Sequence, residues 1–284
     1  MKKSISTWSF PFDWPLARKL RLAKEAGFAG FEIDLTEDGP VNLASGAAEL
    51  AKVRKEVEAA GLQLSGLATG LYWGANAASA DEAVRRKAAG ILRREIECAA
   101  GLGLDAVLVV PGAVGVDFIP ASEIVPYDVA YERAREFVRS ALPLAERHKV
   151  TLCIENVWNK FLLSPLEMRA FIDGFGSAHV ASYLDVGNAL LTGYPEHWAG
   201  VLAGRIRRVH FKDFRRAVGT VDGFCDLLSG DVDWPAVMKA LREIRYDGWV
   251  AAEMIPPAPF YKHCAEVLIA NTSRAMDAIF SLGA

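Results

Sequence analysis

Short apolar runs rich in Val, Ile and Leu alternate with longer helical patterns from one end of the chain to the other, and the alternation occurs eight times. The runs predict strands at Ser4–Phe10, Gly30–Leu35, Leu62–Ala68, Ala106–Val110, Thr151–Glu155, Val180–Asp185, Ile206–Lys212 and Trp249–Met254. Between the fourth and fifth, Ala134, Phe137, Val138, Ala141, Leu142 and Ala145 form one helical stripe, with Pro143 placed to kink or locally expose it. Ser79 with Glu82, and Ser164-Pro165 with Glu167, have the spacing of capping boxes that open the third and fifth helices. Gly27, Gly61 and the pair Gly101/Gly103 stand where the first three helices should end.

A strand such as Ala106-Val-Leu-Val-Val110 is apolar on both faces, which fits a parallel sheet covered by helices. Eight such units in 284 residues match an α/β fold of the (β/α)8 TIM-barrel type. An open doubly wound sheet is the alternative, but Ser-Phe-Pro-Phe-Asp stands where its glycine-rich phosphate turn would follow the first strand. Nothing resembling a linker divides the chain, so residues 1–284 are expected to form a single domain. With 52% hydrophobic residues, a chain of this size needs neither disulfides nor a structural metal to fold, and any metal it binds should be functional.

The balance of 35 acidic against 32 basic side chains, a formal charge of −3, argues against a nucleic-acid partner. Arg85-Arg86 and Arg93-Arg94 share one helix with Glu82, Glu95 and Glu97 and read as a solvated face. No stretch approaches membrane-spanning length, no signal-peptide pattern opens the chain, and Cys98, Cys153, Cys225 and Cys264 are scattered as reduced thiols of a cytoplasmic protein would be.

In a barrel of this kind, reactive groups lie at the carboxyl ends of strands and in the loops that follow. Four consecutive strands end in a metal-ligand type: Glu155, Asp185, His210 and Glu253. Taken singly, each carboxylate has an alternative as the partner of a Lys or Arg, and the histidine as a hydrogen-bonded core residue. Four in register on neighbouring strands converge on one side of the mouth. Three carboxylates and an imidazole suit a divalent ion such as Mn²⁺, Mg²⁺, Co²⁺ or Zn²⁺.

The segments Ile154-Glu-Asn-Val-Trp-Asn159, Leu184-Asp-Val-Gly-Asn188, Val209-His-Phe-Lys-Asp213 and Ala252-Glu-Met254 resemble the motifs of the xylose-isomerase-like sugar isomerase/epimerase superfamily. Within it, the chain is most similar to ketose 3-epimerases of the tagatose 3-epimerase and ribulose- or xylulose-5-phosphate 3-epimerase kind. The resemblance implies one divalent metal, manganese first, held by Glu155, Asp185, His210 and Glu253. It also implies that Glu155 and Glu253 carry protons on opposite faces of the sugar, inverting C3 through an enediolate.

Further substrate contacts are expected at Lys212 and Asp213, whose alternative is a salt bridge at the barrel rim, and at Arg215, with Arg216 beside it, for an anionic or hydroxyl-rich substrate. Trp8, Trp73 and Trp158 are expected to form an apolar wall. Asn188 stands where tagatose-type enzymes carry a histidine, and the resemblance there points towards the phosphopentose-type branch and other branches with a Gly-Asn ending. Glu32, inside the second strand, either reaches the mouth or is a structural carboxylate paired with Lys212. Gly230-Asp-Val-Asp-Trp234 resembles a structural turn of the superfamily.

The same metal site fits aldose–ketose or hydroxypyruvate isomerisation, or a lyase or dehydratase acting on a keto-sugar or keto-glycoside. A three-zinc abasic-site endonuclease needs more ligands than His148, His179, His197, His210 and His263 supply, since only His210 ends a predicted strand. A non-catalytic sugar-binding barrel would be expected to lack one of the two glutamates. The expected partners are a small sugar or sugar phosphate and further copies of the chain in a homodimer or tetramer, with no nucleic acid and no membrane.

Overall fold

The computed structural model describes residues 1–254 and 264–282. Its parallel strands are β1 (Lys2–Ser6), β2 (Gly30–Asp34), β3 (Gln63–Ala68), β4 (Ala106–Val109), β5 (Thr151–Glu155), β6 (Val180–Asp185), β7 (Ile206–Phe211) and β10 (Trp249–Ala252). They close into a barrel in the order β1-β10-β7-β6-β5-β4-β3-β2, and a small antiparallel pair, β8 (Asp213–Phe214) with β9 (Phe224–Cys225), lies in the loop after β7. The helices are α1 (Leu16–Glu25), α2 (Ala47–Ala59), α3 (Glu82–Leu102), α4 (Tyr127–His148), α5 (Pro165–Asp173), α6 (Val186–Ala189), α7 (Pro195–Val201), α8 (Trp234–Glu243) and α9 (Ala265–Ser281). This is the (β/α)8 barrel expected from the alternation.

Side chains alternate along each strand, so one set packs on the helices and the other fills the barrel. Phe211 of β7 packs at a tilt against Trp234 of α8, while its neighbour His210 faces Glu32 across the interior. The interior is polar: Ser4 bonds Ser65, and Arg208 donates to the Ser65 carbonyl at 2.7 Å and reaches Asp105. A core of this kind holds only if each polar group finds a partner.

Several boundaries differ from the sequence reading. The first strand ends at Ser6, because that hydroxyl accepts from Trp8 N and turns Thr7–Ser9 into a 3-10 helix. Asp81, not Ser79, caps α3 by accepting from Ala83 N at 2.7 Å, and Ser79 Oγ serves Asp81 N instead. Ser164 caps α5 as expected, although the Glu167 carboxylate accepts from Leu163 N rather than closing the box. Gly27, Gly61 and Gly103 adopt positive φ at helix ends, whereas Gly101 lies inside α3 against Leu50. Pro143 sits on the exposed side of α4 without interrupting it.

The charged face of α3 is only partly solvated. Glu95 is fully buried and accepts from the Tyr72 hydroxyl at 2.6 Å, and Arg94 donates to the carbonyls of Leu43 and Ser45. No helix among the described residues is long and apolar enough to cross a membrane.

Candidate metal centre and active site

Parallel pairing places Asp185 beside His210 and Glu155 beside Tyr183, so these side chains share the inner face near the mouth. Glu253 joins them just beyond β10, its N–H donating to Phe211 O at 3.1 Å. One ligand atom from each of Glu155, Asp185, His210 and Glu253 lies within 4.8 Å of the others, and all four residues are buried. His210 Nδ1 is 2.8 Å from Glu253 Oε2, 3.5 Å from Glu155 Oε1 and 3.8 Å from Asp185 Oδ2.

Backbone clamps fix these positions. The Asn156 amide donates to Asp185 O at 2.7 Å and accepts from Asp185 N at 2.8 Å. Asp185 Oδ1 accepts from Asn188 N at 2.7 Å, which leaves Oδ2 facing the cluster. The Ser9 hydroxyl donates to Ala252 O and accepts from Met254 N, gripping the chain on both sides of Glu253.

Across the barrel, Glu32 is fully buried, with its two oxygens 2.9 and 3.1 Å from His210 Nε2, and it also accepts from the Tyr183 hydroxyl. Burial opposes a charge on the ring, but Glu32 and Glu253 outweigh it and raise His210 well above its ordinary value, so a divalent ion at Nδ1 would take the place of a proton there while Nε2–H stays on Glu32. Glu32 therefore pairs with His210, not with Lys212 as one sequence reading had it. Gly66 makes room for this contact, since a Cβ there would stand 3.2 Å from Glu32 Oε2.

Lys212 enters the cluster instead. Its Nζ lies 2.8 Å from Glu253 Oε2 and 3.1 Å from Asp185 Oδ2. Only glycine at 187 permits that approach, because a Cβ would fall 2.4 Å from Lys212 Cβ. Burial pushes Glu155 up to about 7. Burial acts the same way on Glu253, but the Lys212 ammonium and His210 outweigh it and hold that carboxyl down at about 2. Burial also raises Asp185.

Three observations test whether the residues fit a divalent ion. Asp185 Oδ2, His210 Nδ1 and Glu253 Oε2 are buried and turned towards one another, with the Lys212 ammonium as the charge the two oxygens share. Ligand atoms gathered this closely are ready to share one cation. Three carboxylates also face a single ammonium, an excess that a divalent charge balances. The donor set, oxygen with one imidazole, suits Mn²⁺, Zn²⁺ and their neighbours. The residues fit.

The remaining predicted contacts are scattered. Asp213 turns away from Lys212 and accepts from Phe214 N, Leu228 N, Val232 N and Trp234 Nε1, so it organises the loop that includes Gly230–Trp234. Arg215 Nε donates to Ser229 O at 3.3 Å. Trp8 donates to Asp34 at 3.2 Å, Trp73 meets Phe118 edge-on, and Trp158 packs between Phe214 and Phe224, so no contact joins the three rings into one wall. Trp158 Nε1 does reach Asn188 O at 3.3 Å, and Asn188 is buried beside the cluster. Of the other histidines, His148 ends α4, His179 faces Val150 O, His197 lies in α7, and His263 lies outside the described residues. Asn156, Tyr183 and Ser9 were not singled out from the sequence. A charged residue inside the apolar run Gly-Phe-Glu-Ile is the one signal that marked Glu32.

A family model described as xylose isomerase-like TIM barrel matches residues 20–271. An Escherichia coli K12 protein provisionally named L-ribulose-5-phosphate 3-epimerase SgbU is 26% identical over 258 residues, covering 85% of this chain and 84% of its own. The crystal structure of a D-psicose 3-epimerase in the presence of D-fructose superposes with a TM-score of 0.80 at 20% identity, over all of both chains. The IOLI protein with a bound zinc atom superposes with a TM-score of 0.80 at 18% identity, covering 99% of this chain and 98% of that one.

Proposed function

The chain belongs to the xylose isomerase-like TIM barrel family, and from that premise we propose that it is a divalent-metal-dependent 3-epimerase of a ketose or ketose phosphate. The observation that carries this reading is the pair Glu155 and Glu253. They are two buried carboxyls brought from β5 and from just beyond β10 to one four-ligand cluster.

A C–H bond beside a ketone is a weak acid, and inversion needs a base on one face and an acid on the other. Glu253 would take the C3 proton from one face of the sugar. Glu155 would return one to the opposite face, and the roles exchange for the reverse reaction. A divalent ion held by Glu155, Asp185, His210 Nδ1 and Glu253 would supply Lewis-acid stabilisation of the enediolate, worth several kcal/mol. Glu32 and Tyr183 keep the His210 ring in the orientation that presents Nδ1. We further assign the chain to the cytoplasm as a single domain over residues 1–284 in a homo-oligomer, with manganese as the working ion.

Incubation with Mn²⁺ and a panel of ketopentoses, ketohexoses and their 5-phosphates in deuterated water tests the proposal. The expected result is the C3 epimer of one ketose, carrying deuterium at C3. Deuterium at C1 or C2 with an aldose product would assign an aldose–ketose isomerase, loss of a substituent would assign a lyase, and no exchange at C3 of any ketose ends the epimerase reading.

A further inference from the structure

Beside the cluster lies a cavity of about 350 Å³ that none of the four proposed ligands lines. It opens between residues 156–163 after β5, 188–192 after β6 and 219–221 in the loop that follows β7. Those strands carry Glu155, Asp185 and His210, so the cavity adjoins the place where a substrate would react. Its walls are apolar, formed by Trp158, Phe161, Leu162, Leu191 and Trp198. The charged residues at its edge, Lys160 and Asp117, pair with one another at 2.7 Å. The guanidinium groups of Arg215 and Arg216 are engaged elsewhere, on Ser229 O and over the Tyr194 ring. Among the described residues, each of these cations already has a partner.

Two observations mark the cavity as a built site. Lys160 and Leu162 both adopt φ values near the left-handed region, +55° and +52°, which side chains of this size rarely occupy. The loop is held there by Asn159, which donates to Gly112 O at 2.7 Å and accepts from Phe161 N, and by the Tyr127 hydroxyl, which accepts from Leu162 N. In addition, Asn188 lines the cavity at 5% exposure, and its Nδ2 has no hydrogen-bond partner although its backbone N–H and C=O are both engaged. A buried amide donor in that state fits a ligand that brings an acceptor oxygen.

We propose that this cavity receives the non-reacting end of the substrate, and that this end is an uncharged apolar substituent of aryl size joined to the sugar through an oxygen that accepts from Asn188 Nδ2. The proposal rests on the keto-sugar reading of the metal centre and names the substrate class for it. Pockets of this volume, apolar with a few placed polar groups, are the usual form of small-molecule sites.

Tryptophan fluorescence reads occupancy through Trp158 and Trp198 without turnover, so failure of the cavity and failure of the epimerase reading are separate results. The Mg²⁺-loaded protein is titrated with phenyl β-D-glucopyranoside, methyl β-D-glucopyranoside and glucose 6-phosphate. The phenyl compound is expected to bind about tenfold or more tightly than either of the others, from burial of the ring. Leu191→Asp, at a half-exposed wall position, is expected to remove that preference while circular dichroism and metal stoichiometry match the parent protein. Equal affinity for the phenyl and methyl compounds, tighter binding of the phosphate, or full phenyl preference in Leu191→Asp each overturns the proposal. So does binding of no probe to the Mg²⁺-loaded protein.

Discussion

The two halves of the barrel mouth end differently. Strands β1 to β4 finish in Ser6, Asp34, Ala68 and Val109, whereas β5, β6, β7 and β10 deliver Glu155, Asp185, His210 and, one residue past its strand, Glu253. The first half still contributes, but from inside the barrel: Glu32 of β2 holds His210 of β7 from across the interior. The difference teaches that the proposed ligands are gathered on one arc of the rim while the group that aims the imidazole comes from the opposite wall. The carboxyls of the two halves also differ. Glu253 is buried beside Lys212 and stays ionised, whereas Glu95, packed behind the first half on α3, is buried with only the Tyr72 hydroxyl for company and is raised well above the ordinary carboxylate range.

Breaking the second half should have the largest effect. Glu253→Gln or Glu155→Gln is expected to lower C3 exchange about 10²–10⁴-fold with the fold intact by circular dichroism. Near-normal exchange in either variant contradicts the two-glutamate assignment. Cutting the bridge between the halves should cost less. Glu32→Ala is expected to weaken metal binding about 10–100-fold by calorimetry, with Glu32→Gln nearer the parent because its amide oxygen still accepts from Nε2–H. Unchanged affinity in Glu32→Ala would show that the ring needs no such support.

The smallest effect is expected behind the first half. Because the Glu95 carboxyl is raised in the fold, the native state holds a proton that the unfolded chain releases above its own value near 4.5, so stability falls as pH rises. Glu95→Gln keeps a partner for Tyr72 and removes that proton, so its melting temperature should vary less between pH 5 and pH 8 than that of the parent. An unchanged slope would mean that Glu95 is ionised in the fold.

The period of the apolar residues made the eight strands legible, because a strand covered on both faces leaves an uninterrupted run. Glu155, Asp185 and Glu253 were legible for the same reason, each closing such a run, and His210 as the imidazole near the end of the strand between them. Short-range hydrogen bonds redrew the boundaries. Trp8 and Phe10 extend the apolar pattern of the first strand, but the Ser6 hydroxyl bends the chain beneath them. Asp213 follows Lys212 within one motif, and nothing in that dipeptide says that one side chain faces the cluster and the other a loop about twenty residues on. Glu32 and the cavity beside Trp158 depend on contacts between segments more than a hundred and about thirty residues apart, respectively, which no local pattern encodes.

The central claim is that Glu155, Asp185, His210 and Glu253 hold one ion, with His210 presenting Nδ1. Anomalous diffraction from crystals grown with Mn²⁺ tests it directly. The account predicts one peak per chain within coordination distance of those four side chains, with Nε2 still on Glu32. A peak elsewhere, no peak at saturating Mn²⁺ with Lys212 still between Asp185 and Glu253, or an ion on Nε2 contradicts it.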